Sequence, residues 1–522
     1  MPAAALPVPP RLVTGIDGLD NVLTGGLEPG RVYLIEGTPG TGKTTLSLQF
    51  LLAGQAAGET VLYVTLSESE QELRAVAASH GWDLGGLEIF ELVSEIGLDP
   101  ESEQTILHPS ELELGETTRG VMARVEALRP SRVVFDSLSE MRLLAQNPLR
   151  YRRQVLALKH FFTQRGCTVF MLDDRTSSDA DLQLHSIAHG VVTLEQLALE
   201  YGSERRRLRV VKLRGSQYRG GFHDFTIEPG GLVVYPRLVA SEHHAEFADV
   251  TASTGNAGLD RLLGGGLTLG TNTLLIGPSG AGKTTTATCA VLAALRRGEH
   301  AAYFLFDEGL KTLLVRAAHL GMDLAPYLDS GALSVRPIDP AELSPGEFAG
   351  LIRAAVERDG AHVVVIDSLN AYLQSMPGER HLLLQMHELL SYLNQRGVMT
   401  LMVLGQHGLI GDVRSDLDLS YLADAIVLLR YFEAEGEVRK AVSVVKTRTA
   451  AHERSIREFW VDGDGLHVGE PLQGFRGVLS GTPTWTGTAA ALLQSPPLQS
   501  ATLQSARLQS ARLQSDGETG TA

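Results

Sequence analysis

The sequence predicts an α/β protein of two tandem domains, each a mainly parallel sheet flanked by helices. Three observations predict it. A glycine-rich stretch, IEGTPGTGKTT at residues 35–45, returns as IGPSGAGKTTT at residues 276–286. The match continues upstream, where TGIDGLDNVLTGGLEPG (14–30) faces TGNAGLDRLLGGGLTLG (254–270). Finally, short runs rich in Val, Ile and Leu alternate with helical stretches through both halves, the pattern of strands buried on both faces.

At 522 residues the chain exceeds one ordinary core, so a duplication is a natural solution. Lys43 and Lys283 are 240 residues apart, as are Asp20 and Asp260, whereas Asp136 and Asp367 are 231 apart and Lys212 and Lys446 are 234 apart. Small drifts in a constant framework are what insertions in surface loops produce. The junction falls near residues 237–252, which predicts domains over 1–238 and 253–484.

The first-half strands are RVYLIEG, TVLYVTL, SRVVFDS, CTVFMLD, GVVTLEQ and RLRVVKL. Their second-half partners are TNTLLIG, HAAYFLF, HVVVIDS, VMTLMVL, DAIVLLR and AVSVVKT. Segments between them, such as RHLLLQMHELLSYLNQRG, have helical periodicity, and this alternation implies a parallel sheet wrapped by helices. The last runs of each half are close in sequence and are expected to pair as hairpins at one edge. From residue 485 onward leucines recur in five-residue LQS units, a period that fits neither helix nor strand, and this tail is expected to be disordered.

The 43% hydrophobic and 20% charged composition is that of a soluble globular protein, and no run of about 18 apolar residues offers a membrane span. The opening MPAAALPVPP has no basic n-region, so a cytoplasmic location is expected. Two cysteines, Cys167 and Cys289, exclude a disulfide framework. A net charge of −16 disfavours a broad nucleic-acid groove.

Gly37-Thr38-Pro39-Gly40-Thr41-Gly42-Lys43-Thr44 and Gly277-Pro278-Ser279-Gly280-Ala281-Gly282-Lys283-Thr284 both satisfy G-x-x-x-x-G-K-[ST], and each follows a predicted strand and opens a helix. The glycines let successive N–H groups converge on phosphate oxygens, the lysine reaches the β- and γ-phosphates, and the Thr44 or Thr284 hydroxyl ligates Mg²⁺. One such loop is a chance Gly-rich turn often enough to matter; two in register are not.

Asp136 and Asp367 each end a hydrophobic strand, where open α/β sheets bind ligands. A helix-capping role is the competing reading, and the paired occurrence favours the metal shell. The strand after the first helix ends in Ser67 and Glu68 in one half and in Asp307 and Glu308 in the other. These acids are the candidates for orienting or deprotonating an attacking water, against the alternative of solvated helix-start acids. Two K-x-R pairs, Lys212 with Arg214 and Lys446 with Arg448, have strand spacing and so share a face. They read either as edge-strand lysines or as cations offered to a neighbouring molecule's γ-phosphate, and their recurrence favours the second.

The chain resembles the KaiC-like branch of the RecA-like P-loop ATPases over about residues 12–483. The resemblance rests on TGIDGLD, GGL, SHGWDL (79–84), VFDS, VIDS, the two K-x-R strands, SIREF (455–459) and GFRGVLSGTP (474–483). It implies a hexameric ring of two tiers holding ATP and Mg²⁺ between subunits, and regulatory or signalling protein partners. It further implies that nucleotide contacts include Thr45, Ser79, Lys212, Leu213, Arg214, Ser216 and Tyr218 in the first domain. In the second they include Thr285, Lys446, Thr447, Arg448 and His452. Metal ligation is implied for Thr44, Asp136, Thr284, Asp307 and Asp367, and catalysis for Glu68, Asp307 and Glu308. Clock members carry paired acids in both domains, so Ser67 puts hydrolysis at the first site in question. They also autophosphorylate two residues that correspond here to Ser420 and Tyr421; Ser420 is the candidate phosphoacceptor and Tyr421 departs from the pattern.

The expectation is therefore a division of labour, the first loop binding ATP to hold a ring together and the second doing more of the chemistry. The competing functions are a RecA- or helicase-like DNA-dependent ATPase, for which SERRRLR (203–209) is the clearest basic candidate, and a nucleotide-gated scaffold with little turnover.

Overall fold

The computed structural model describes residues 10–92, 109–145, 147–174, 181–199, 201–374, 381–406, 419–434, 436–479 and 484–485. The LQS repeats lie outside the described residues, as do residues 480–483 of the GFRGVLSGTP stretch.

The first sheet contains β1 (Val32–Glu36), β2 (Val61–Thr65), β3 (Glu88–Glu91), β4 (Arg132–Asp136), β5 (Thr168–Asp173), β6 (Gly190–Leu197), β7 (Arg205–Leu213), β8 (His223–Glu228) and β9 (Gly231–Tyr235). Their spatial order is β3-β2-β4-β5-β1-β6-β7-β8-β9. From β3 to β6 neighbours run parallel, and β6 to β9 form an antiparallel meander at the edge. A small pair, β10 (Thr251–Ala252) with β11 (Leu267–Thr268), precedes the second sheet. That sheet holds β12 (Asn272–Gly277), β13 (His300–Leu305), β14 (Leu333–Pro337), β15 (Ala361–Asp367), β16 (Met399–Gly405), β17 (Ala425–Ala434), β18 (Glu437–Thr447), β19 (Arg457–Asp462) and β20 (Gly465–Pro471). Its order, β14-β13-β15-β16-β12-β17-β18-β19-β20, repeats the first strand for strand.

All twelve predicted runs are strands, and their composition explains where they lie. Strands β1, β2, β4 and β5 are buried along their whole length. Such strands need helices on both faces, which only the centre of a parallel sheet supplies. Within the two nine-stranded sheets, the six strands that hydrophobic runs do not announce are β3, β8, β9 and their counterparts β14, β19 and β20. All but the apolar β9, GLVVY, carry mixed polar sequences, Glu88–Glu91 being half-buried throughout, because outer strands have less apolar surface to cover.

Each sheet divides two apolar layers. In the first half, Leu46, Phe50, Tyr63 and Phe170 pack on one face, and Leu62, Phe135, Phe162 and Val169 on the other. Phe50 stacks on Phe170 with ring centroids 3.9 Å apart. The second half repeats this with Val291, Tyr303 and Leu401 against Phe304, Phe348 and Met402. Among the described residues no helix is long and apolar enough to cross a membrane.

The halves touch through the meander of the first. Ser203 N–H donates to the Ala341 carbonyl at 3.1 Å, Arg205 to the Pro340 carbonyl at 3.0 Å, and Gly346 N–H to Asp224 Oδ2 at 2.7 Å. The connection itself packs on the second half, with Ala240 buried in that core.

Candidate functional site

Each glycine-rich loop runs from the carboxyl end of a central strand into a helix, Lys43–Ala56 after β1 and Lys283–Arg296 after β12. Gly42 and Gly282 precede these helices with φ of 96° and 107°. The left-handed φ of Gly42 is what requires glycine here; a Cβ would in addition lie 2.7 Å from Ile227 Cδ1, the movable end of that side chain. Thr41 and Ala281 are fully buried beneath their loops, and Thr45 and Thr285 are buried one residue into the helix after Thr44 and Thr284. Lys43 folds back on the loop, donating to the carbonyls of Gly37 at 2.7 Å and Thr38 at 3.1 Å. Lys283 does the same to Gly277 at 2.8 Å and Pro278 at 2.7 Å. An ammonium bound to its own loop's carbonyls is held at the position where phosphate oxygens enter.

The strand-end acids sit beside these loops. Asp136, at the end of β4, accepts a hydrogen bond from the Tyr63 hydroxyl at 2.6 Å. Burial pushes its carboxyl up to about 6, opposed by Tyr63 and raised further by Asp174. Asp367, at the end of β15, accepts from Tyr303 at 3.1 Å; burial raises it too, against hydrogen bonds from Thr284 and Tyr303. A carboxylate bonded to the loop threonine, in a site that favours its neutral form, matches the oxygen donors a hard divalent cation takes. Among the described residues no group of three or more His, Cys, Asp or Glu side chains forms a closed metal cage. Mg²⁺ at these sites would therefore complete its shell with phosphate and water oxygens.

The acids after the second strand differ between the halves in a way spacing does not announce. Glu68 has one carboxylate oxygen buried with no hydrogen-bond partner. Burial pushes the group up to about 6, with Asp136, Glu72 and Asp174 adding to the shift and Lys43 opposing it. Asp307 instead accepts from the Ser368 hydroxyl, and Glu308 is held by Arg316 through two bonds of 2.6 Å.

The first site is not short of an acid. Asp174, just beyond β5, lies 2.8 Å from Lys43 Nζ, with Ser139 also donating to it at 2.9 Å. Burial pushes Asp174 up, but the bonds and charge of Lys43 outweigh it and leave the carboxyl lowered. The site thus draws acids from three strands, Glu68, Asp136 and Asp174, while the second draws Asp307, Glu308 and Asp367 from two. Each site thus has three acids near its loop, and Asp174, on a different strand from Ser67, is held in an ion pair with Lys43. The signal was the doubled acid ending TVFMLDD, where alternation sends Asp173 to Arg142 at 3.0 Å and Asp174 to the loop.

A cavity of about 740 Å³ surrounds the second loop. It brings together Ser279, Gly280, Gly282, Lys283, Thr284, Thr285, Asp307, Glu308 and Asp367, and adds Arg316, Ser368 and Lys440, which sequence reasoning passed over. It does not bring in Lys446, Thr447, Arg448 or His452. Lys446 donates to the carbonyls of Ser420 at 2.8 Å and Ala423 at 2.7 Å, and Arg448 to Asp424 and the Tyr421 carbonyl. His452 bonds Thr447 at 2.9 Å. In the first half Lys212 donates to the carbonyls of His185 and Ala188, and Arg214 to that of Ser186. Both K-x-R pairs thus lie over matching turns. Leu213 is buried between them, Ser216 bonds Arg11 and Glu28, Tyr218 donates to the Val211 carbonyl, and Ser79 to that of Val76. Ser420, itself exposed, begins the 3₁₀ turn Ser420–Leu422, whose Leu422 is buried.

The basic run SERRRLR is consumed by the fold. Arg205 is buried on the second half, Arg206 pairs with Glu204, Arg207 pairs with Glu195, and Arg207 and Arg209 lie over the Phe222 ring. Among the described residues, then, the arginines of this run are engaged by the fold itself.

Comparison with known proteins agrees with this geometry. The family described as ATPase: KaiC matches residues 12–239 and again 252–473. The circadian clock protein KaiC3 of Synechocystis sp. is 28% identical over 483 residues, covering 91% of this chain and 95% of that one. The circadian clock oscillator protein KaiC of Synechococcus elongatus is 28% identical over 490 residues, with 91% and 92% covered. With two family matches spanning both sheets and both loops, the chain belongs to the KaiC ATPase family.

Proposed function

We propose that both loops bind MgATP and hydrolyse it, in a homohexameric ring whose subunits complete one another's sites. The observation that carries the reading is the division between each half's two sets of charged groups. The loop lysine, loop threonine and strand-end acids gather at one place, while the K-x-R cations lie apart over the 185–188 and 420–424 turns. A cation pair held at a fixed distance from its own loop is what a neighbour's nucleotide would use.

In the reaction, a water oxygen bonds to the γ-phosphorus as the bond from that phosphorus to the β,γ-bridging oxygen breaks. The water's proton passes to Glu68 in the first site and to Glu308 in the second, and ADP and phosphate leave. Lys43 and Lys283 exchange their carbonyl partners for phosphate oxygens. Thr44 and Asp136 in the first site, and Thr284, Asp307 and Asp367 in the second, would hold Mg²⁺, which when bound supplies neutralisation of phosphate charge. The remaining contact residues implied by the family resemblance belong to the same reading, with Ser420 as phosphoacceptor for a neighbouring subunit's ATP. The family and the names of the relatives support an output in timing or signalling through protein partners.

Native mass measurement with and without MgATP tests the ring, and phosphosite mapping of the same sample tests Ser420. Steady-state phosphate release from Lys43→Ala, Lys283→Ala and the double variant tests the sites. A double variant that turns over like the wild type would sink the whole assignment.

A further inference from the structure

The two halves place an acid at the same point, Glu68 and Glu308, yet surround it differently. In the first half one buried carboxylate oxygen, Glu68 Oε2, has no hydrogen-bond partner. In the second, Arg316 donates from Nη1 to Glu308 Oε2 and from Nη2 to Oε1, both at 2.6 Å, a two-pronged ion pair. Arg316 is on the helix Leu310–His319 that begins two residues after Glu308. The same place in the matching helix Glu70–Ser79 is Val76, an apolar residue packed on the core. Nothing in the fold therefore demands a cation there; the first half does without one.

We propose that Arg316 is a positioning residue that restrains Glu308, so that the second site activates water only once this ion pair opens. The inference rests on the reading of Glu308 as the second-site base. One lone pair on each carboxylate oxygen is taken by a guanidinium N–H donor and the paired charge lowers the carboxylate's pull on a water proton; charge-assisted forked pairs are among the stronger hydrogen bonds. Arg316 also lines the loop cavity, with its side chain 37% exposed, so its planar fork has an alternative partner of matching geometry in an incoming phosphate. Exchange of Glu308 for phosphate frees the base when nucleotide is present. Glu308 then takes the proton as the water oxygen bonds to the γ-phosphorus and ADP departs. The first site has no such restraint. Turnover at the two sites is thus set by different devices, Asp174 on the lysine in one and Arg316 on the acid in the other.

The test uses the full chain with Lys43→Ala silencing the first site. Arg316→Val, the residue of the first half, is expected to raise second-site kcat at least about threefold, because the base no longer waits for the ion pair to open, and to raise KM for ATP, because the phosphate partner that Arg316 offers is lost. Arg316→Lys keeps the charge but loses the fork, and is expected to fall between the two. The reciprocal Val76→Arg in a Lys283→Ala chain is expected to lower first-site kcat. A readout without nucleotide accompanies these: carbodiimide-plus-amine labelling with peptide mapping should find Glu308 protected in the parent and labelled in Arg316→Val to the extent of Glu68. Lower kcat in both Arg316 variants, or equal labelling with and without Arg316, would overturn the restraint. Full second-site turnover in a Lys43→Ala, Glu308→Gln chain would instead remove the base assignment itself, which separates the two failures.

Discussion

The carboxylate of Asp174 lies 2.8 Å from the ammonium of Lys43, and at the matching place in the second half, 231 residues on, stands Gly405. Among the described residues Lys283 hydrogen-bonds only its loop carbonyls, and burial lowers its pKa, opposed by Asp367 and Asp307. One loop lysine is thus neutralised before nucleotide arrives and the other is not.

Removing that charge should strengthen nucleotide binding at the first site. In a Lys283→Ala chain, Asp174→Asn is expected to tighten ATP binding by about threefold to tenfold, since an anion no longer competes for Lys43 or repels phosphate. Fluorescent-nucleotide titration reads this directly. Weaker binding would mean that Asp174 supports the cradle instead of competing with it.

First-site activity should depend on pH through Glu68. A base must be ionised to take a proton, and burial holds this carboxyl up to about 6. In the Lys283→Ala chain, kcat/KM should rise as pH increases through about 6 and level off above it. The same two raised acids, Glu68 and Asp136, carry a stability signature of opposite sense. Between about 4 and 6 the folded state binds more protons than the unfolded chain, so their stabilising contribution is greatest at the acid end and is lost as pH rises through that window. Denaturant midpoints of the nucleotide-free chain at several pH values, compared with an Asp136→Asn variant, check it.

Arg132 should be the most sensitive buried charge of the first half. Its side chain is 1% exposed and bonds Glu59 at 2.8 Å and the carbonyls of Val13 and Phe50 at 2.9 Å each. Arg132→Met strands an acid and two carbonyls, at a cost of about 3–5 kcal/mol. Because the halves have separate cores, urea unfolding should show one transition displaced and the other unmoved.

Gly282→Ala should disable the second loop without unfolding the half. The residue has φ of 107°, and an added Cβ would meet the Phe459 ring at 2.6 Å. The strain in left-handed backbone, about 1–2 kcal/mol, is small against a domain's stability but falls on the residue that starts the phosphate-binding helix. Loss of nucleotide binding at the second site with an unchanged circular dichroism spectrum is the expected result.

How far the site could be read beforehand follows from which residues are neighbours in sequence. The loops, Asp136 and Asp367 are local signals, since each sits at the end of an apolar run that can only be a central strand. Asp174 is no less local, yet its meaning depends on β5 lying next to β1, an adjacency made by the sheet order across more than a hundred residues of chain. Arg316 looks like any helix cation until its helix is packed back toward Glu308. The K-x-R pairs were legible as cations on one face, but that they lie over the 185–188 and 420–424 turns is a matter of sheet pairing.

The amino-acid sequence by itself determined the duplication, the twelve inner strands, the two phosphate-binding loops and the acids at the strand ends. These follow from hydrophobic period and from glycine's backbone freedom, which act over a few residues. The tertiary structure decided which charges meet: Asp174 with Lys43, Arg316 with Glu308, and the SERRRLR arginines with the fold's own acids, carbonyls and Phe222. Electrostatic partners are chosen by distance in space, and only the crossing order of the strands sets that distance.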